Sequence, residues 1–131
     1  MVNMKYTYAA IIFSFVFVLN LCAQEMDKEY LYVLKLRQDL FDANNWTAKE
    51  NKIVEEHFNR LKKMLEEGSL VLAGRTLNMD PEGLGIVIFK AGTEEEAKEI
   101  AANDPAVKAG IMSAKVFPYR TALIKNFEKE E

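Results

Sequence analysis

The chain has 131 residues, a formal net charge of −3, and a composition that is 50% hydrophobic and 28% charged. This is enough chain for one globular domain and too little for two ordinary ones, and the few Gly and Pro residues exclude a collagen-like or disordered chain. The mildly acidic balance, with no basic stripe, argues against a nucleic-acid partner.

The first element is a leader. Met1 to Lys5 carries one positive charge and no acid, and Tyr8 to Cys22 is an apolar run broken only by Ser14 and Asn20. A membrane-spanning helix needs about 20 apolar residues. This run is shorter and ends near the small residue Ala23, so residues 1–23 read as a signal peptide cleaved before Gln24. Leu21 is larger than the position three before a cut usually takes, and an uncleaved anchor is the alternative. Lipid attachment at Cys22 is disfavoured because Leu21, directly before it, is not small. The expectation is an exported bacterial protein, periplasmic or secreted, with no membrane attachment after cleavage. Cleavage would also remove the single cysteine, leaving neither disulfide nor thiol chemistry. The domain is then residues 24–131, with its core at about 30–119.

Tyr30 to Arg37 is rich in aromatic and branched residues and predicts the first strand. Gln38 to Trp46 carries Asp39, Asp42, Asn44 and Asn45 and predicts a loop. Thr47 and Glu50 have capping-box spacing and open a helix that runs to about Glu67 and stops at Gly68. Leu70 to Thr76 and Leu84 to Lys90 predict two strands joined across an Asp-Pro-Glu-Gly turn. Thr93 and Glu96 mark a second capping box, opening a helix to about Ala102, followed by a helical turn from Pro105 to Ala109. Met112 to Tyr119 is the fourth strand, and the acidic tail is expected to fray.

The order is βαββαβ, an α+β fold of the ferredoxin-like kind. It predicts a four-stranded antiparallel sheet in the order second, third, first, fourth, with both helices on one face. Ile86 and Ile88 alternate with Val87 and Phe89, so both faces of that sheet look apolar, whereas a sheet with one wet face should alternate cleanly. Helices can cover only one face. A second copy covering the other makes a homodimer the expected assembly, burying apolar surface at roughly 25 cal/mol per Å².

On the first helix Ile53, Val54, Phe58, Leu61, Met64 and Leu65 fill an apolar arc of roughly 140° at about 100° per residue. His57, the single histidine, falls inside it. Read alone, His57 is first a partly buried structural histidine; the alternative is a general base, since imidazole titrates near neutrality and a carboxylate can hold its tautomer. Asp104 is such a carboxylate. The predicted topology brings the segment before the fourth strand toward the N-terminal half of the first helix. From spacing alone, however, Asp104 reads as a cap before Pro105.

From His57 onward the chain resembles the YCII-related (YciI-like) family of the dimeric α/β-barrel superfamily. The matching stretches are EHFNRLKKMLEEGSLVLAGRTL, GIVIF, TEEEAKEIAANDPAVKAG and VFPY, and the likeness extends over about Tyr30 to Tyr119. The resemblance implies a ferredoxin-like fold, a dimeric barrel, and a His and an Asp in an active-site cleft. The matching positions are His57 in EHFNRL and Asp104 in the NDP turn. One departure stands at Gly74-Arg75, where the family commonly has Gly-Pro. Arg75 is either a solvated strand-end charge or a substrate-binding fork for a carboxylate or phosphate; Arg37 has the same two readings. Tyr30, Tyr32, Phe89 and Phe117 are expected to pack the core or a dimer contact.

No cofactor is expected. One histidine and no cysteine in the mature chain leave little for a metal, and there is no EF-hand, HExxH, Walker or GxGxxG pattern. Two functions remain. One is a small-molecule enzyme with a His57–Asp104 acid/base pair, for which the resemblance implies isomerase or lyase-like proton transfer, since fold relatives include muconolactone isomerases and dehydrochlorinating enzymes. The other is a non-catalytic dimeric module of the cell envelope that binds a ligand or a partner.

Overall fold

A computed structural model describes residues 28–125. The leader, its cleavage point and the acidic tail lie outside the described residues. Four strands and three helices follow the expected order: β1 (Lys28–Leu36), α1 (Ala48–Glu66), β2 (Leu70–Arg75), β3 (Gly85–Ala91), α2 (Glu94–Ala102), the short α3 (Pro105–Lys108) and β4 (Met112–Tyr119). The fold is α+β, and the sheet runs β2-β3-β1-β4 with every neighbouring pair antiparallel.

Register decides what each face carries. Tyr30 pairs with Phe89, Tyr32 with Val87 and Val116, and Leu34 with Ala114. These side chains share the face on which Leu61 and Met64 of α1 and Ala97 and Ala101 of α2 pack to form the core. The opposite face carries Leu31 across from Ile88 and Phe117, Val33 across from Ile86 and Lys115, and Leu72 across from Ile88. A register shift between Leu70 and Leu72 bulges β2 and turns its last residues, Ala73 to Arg75, back into step with β3.

Three local expectations need correction. The loop before α1 contains two 3₁₀ turns, Gln38–Phe41 and Ala43–Asn45, the second opened by the Asp42 carboxylate accepting from the Asn44 amide. The box at Thr47 is complete, but the one at Thr93 is not. Thr93 accepts from the Glu96 amide, whereas Glu96 reaches one residue further back, to the Gly92 amide. Finally, the apolar arc of α1 is wider than the seam it buries. His57, Leu61 and Met64 are buried, while Phe58, which lines an open cleft, and Leu65 are more than half exposed. Gly68 ends this helix at φ +78°, a conformation that glycine adopts without steric cost. Among the described residues no helix is long and apolar enough to cross a membrane.

Candidate active site

Asp104 sits in the tight connection between α2 and α3. With Pro105 after it, the chain must leave the α2 axis, and an extended Asp104 becomes the N-cap of α3. Its Oδ1 accepts from the Ala106 amide at 2.9 Å. That cap directs the rest of the carboxylate inward, where three side chains meet it. His57 Nδ1 lies 2.7 Å from Oδ2 and 2.9 Å from Oδ1, the Tyr32 hydroxyl donates to Oδ2 at 3.2 Å, and Arg60 Nη1 approaches Oδ2 at 3.5 Å. Asp104 and Tyr32 are fully buried, and His57 is 9% exposed.

The spacing on α1 explains how one helix delivers two of these partners. His57 and Arg60 are three residues apart and so share a face. Arg60 is held from behind by its own bond, Nη2 to the Ile100 carbonyl at 2.8 Å. Tyr32 rises from the central strand beneath.

Burial alone would push the Asp104 carboxyl up. The His57 ring, the Ala106 amide and the Arg60 guanidinium outweigh it, and the carboxyl is held below its usual value. Burial first, then the Asp104 charge, pushes the Tyr32 hydroxyl up, so it stays a donor. An ionised carboxylate only accepts. Asp104 therefore requires a proton on His57 Nδ1, and in the neutral ring that leaves the lone pair on Nε2.

Nε2 makes no hydrogen bond among the described residues, and His57 lines a cleft of about 480 Å³. This size lies in the range typical of small-molecule sites, about 300–1,000 Å³. The walls are mostly apolar: Leu34, Leu36, Val87 and Met112 from the sheet, Val54, Phe58 and Leu61 from α1, and Phe41 and Trp46 from the linker. Trp46 is fixed by its indole N–H, which donates to the Leu40 carbonyl at 2.8 Å. The polar end is the β2–β3 hairpin, with Arg75, Thr76, Asn78 and Asp80. Asp80 braces that hairpin by accepting from the Asn78 side chain and the Glu82 and Gly83 amides. A Cβ on Gly83 would stand 2.6 Å from the Asn78 carbonyl oxygen, so the turn closes only around glycine.

His57, Asp104 and Arg75 thus divide into two groups. His57 and Asp104 are in contact, while Arg75 stands on the outer wall of the cleft that His57 lines. Arg37 is elsewhere: it forms a two-pronged pair with Asp39 at 2.6 and 3.0 Å and does not line the cleft. Tyr30 and Phe89 are core residues as expected, and Phe117 lies on the helix-free face, 37% exposed. Tyr32 is both core and part of the polar cluster. Arg60 carried no signal of its own in the sequence except its three-residue spacing from His57. Among the described residues no cluster of three or more His, Cys, Asp or Glu could hold a metal ion.

A sequence model of the YCII-related domain matches residues 29–120. The chain is also 32% identical over 68 residues to the derivative of benzaldehyde biosynthesis cluster protein C of Emericella nidulans, an alignment that takes in 46% of this chain and 69% of the fungal protein.

Proposed function

The chain belongs to the YCII-related domain family, and on that footing we propose that it is a small-molecule enzyme of the isomerase or lyase-like kind, in which His57 is the general base. The observation that carries this reading is the Asp104 carboxylate on His57 Nδ1, which puts the basic lone pair on Nε2 beside the cleft. Nε2 takes a proton from a carbon or oxygen acid. The ring then carries a positive charge, which the Asp104 carboxylate stabilises without taking the proton itself. In an isomerisation the same nitrogen returns the proton to another atom of the substrate; in an elimination the C–H electron pair forms the double bond, the leaving group departs from the adjacent carbon with its bonding pair, and Nε2 gives the proton to that group or to water. Asp104, Tyr32 and Arg60 do not touch the substrate; they position the base. The similarity to a protein named for a biosynthesis cluster favours chemistry on small organic molecules.

The test is solvent exchange in D₂O, followed by proton NMR, across a panel of small arylacetic, arylpyruvic and unsaturated-lactone compounds. The reading expects catalysed exchange of at least one acidic C–H and a loss of at least about 10²-fold in His57→Gln. Exchange that persists in His57→Gln, or none across the panel, would count against it.

A non-catalytic module is the second reading, and the capping bond of Asp104 favours it, since a buried cap can hold a histidine for structure alone. The exchange experiment separates the two.

The same proposal includes export by the N-terminal leader and pairing of two copies. Support for pairing lies on the helix-free face, where Leu72, Phe117 and Tyr119 are exposed beside half-buried Leu31, Val33 and Ile86. A monomer rarely leaves such a patch uncovered. Sedimentation at micromolar concentration should give a dimer, and Leu31→Asp a monomer. A monomeric mass for the unsubstituted protein would remove the pairing.

A further inference from the structure

The cleft has one permanently charged cation in its described lining, Arg75, and little in the fold holds its guanidinium. Arg37 is paired with Asp39, and Arg60 is bonded to Asp104 and the Ile100 carbonyl. The hydrogen-bonding contact of Arg75 among the described residues is Nη1 to the Met79 sulfur at 3.9 Å. A thioether is a weak acceptor, whereas a guanidinium presents five N–H donors in a planar fork.

We propose that the cleft takes a small apolar molecule with an aromatic ring and a single carboxylate, with that carboxylate seated on the Arg75 fork. This rests on the reading of His57 as the base of the same cleft and names the class of compound the base would meet. Three observations set the class. The fork fits a carboxylate through two parallel bonds. Phe41, Trp46 and Phe58, among mostly aliphatic walls, supply aromatic surface for a flat ring. A second negative charge has no receptor: no lysine joins Arg75 among the described lining residues, and the Asp80 carboxylate shares the hairpin end. A phosphate dianion or a diacid would meet one guanidinium and one carboxylate there, and it would lose hydration that a single fork does not replace.

The single tryptophan of the chain lines the cleft, so its fluorescence reports occupancy directly. The purified full chain is titrated with 3-phenylpropionate, its neutral amide 3-phenylpropanamide, the dianion phenyl phosphate and the diacid phenylsuccinate. The expected result is saturable quenching, with the monoacid at least about tenfold tighter than the amide and tighter than both dianions. Arg75→Gln should bring the acid and the amide to parity, while Arg37→Gln, outside the cleft, keeps the preference. Four results overturn the proposal: no saturable binding by any probe, equal binding of acid and amide, a preference that survives Arg75→Gln, or tighter binding of either dianion. Thermal melts establish that Arg75→Gln is folded. Acid preference through Arg75 without His57-dependent proton exchange would sink the enzymatic reading alone. Exchange without acid preference would sink this proposal alone.

Discussion

The two ends of the cleft are built in opposite ways. At the inner end, one buried carboxylate accepts from a backbone amide and meets a histidine, a tyrosine and an arginine. At the outer end, the β2–β3 hairpin is exposed, and Arg75 has a sulfur for company. The inner cluster cannot adjust one member without leaving another unsatisfied, so it fixes the direction of one lone pair. Arg75, unlike the turn residues Asp80 and Gly83, can change identity with little effect on the fold, so it can set what is bound. The base is held by the interior, and selectivity is left to the rim.

Substitutions should expose that difference, beginning inside. Asp104→Ala removes the cap of α3 and leaves His57 Nδ1 and the Tyr32 hydroxyl without their acceptor. It should cost about 3–5 kcal/mol in urea unfolding, the largest loss of any single change here. The same carboxylate predicts an acid dependence. Its folded pKa is depressed, so its stabilisation is complete above the ordinary carboxylate value, about pH 4, and is lost as pH falls through the folded value. Asp104→Asn should flatten the decline in stability below about pH 4; an unchanged acid profile would show that the cluster is not what holds the carboxylate ionised.

Next comes Tyr32→Phe. It keeps the buried ring, which packs edge-on to Phe89 with centroids 5.4 Å apart, and deletes one donor to Asp104. A loss of about 1.5–3 kcal/mol is expected, since the lost bond is to an ionised carboxylate, measured by thermal or urea unfolding. A cost close to that of Asp104→Ala would mean that Tyr32, rather than the carboxylate, organises the cluster. Smallest in stability is Arg75→Gln, within about 0.5 kcal/mol of the unsubstituted protein in the same assay. A larger cost would show that the rim is structural and would erase the contrast between the two ends.

Much of the framework was legible from the chain. Thr47 with Glu50 and Gly68 bracketed α1, and the strand runs gave both the order and the antiparallel sheet, because local capping and alternation agree with the final packing. That topology also brought Asp104 and His57 to the same region. What periodicity could not give was the depth of the polar cluster. Tyr32 looks like any aromatic on a buried strand, and its hydroxyl becomes important only where α3 lowers a carboxylate over it. The linker was harder still. Phe41 and Trp46 sit among turn-forming residues, and only the two 3₁₀ turns reveal that this stretch walls the cleft.

The central claim is that Asp104 directs the lone pair of His57 into the cleft, and nitrogen-15 NMR of the histidine ring tests it directly. The sequence holds a single histidine, so assignment needs no editing. In the neutral ring the account predicts the proton on Nδ1 and a bare Nε2, a state that Asp104→Ala should release. A neutral ring protonated at Nε2 in the unsubstituted protein would contradict it.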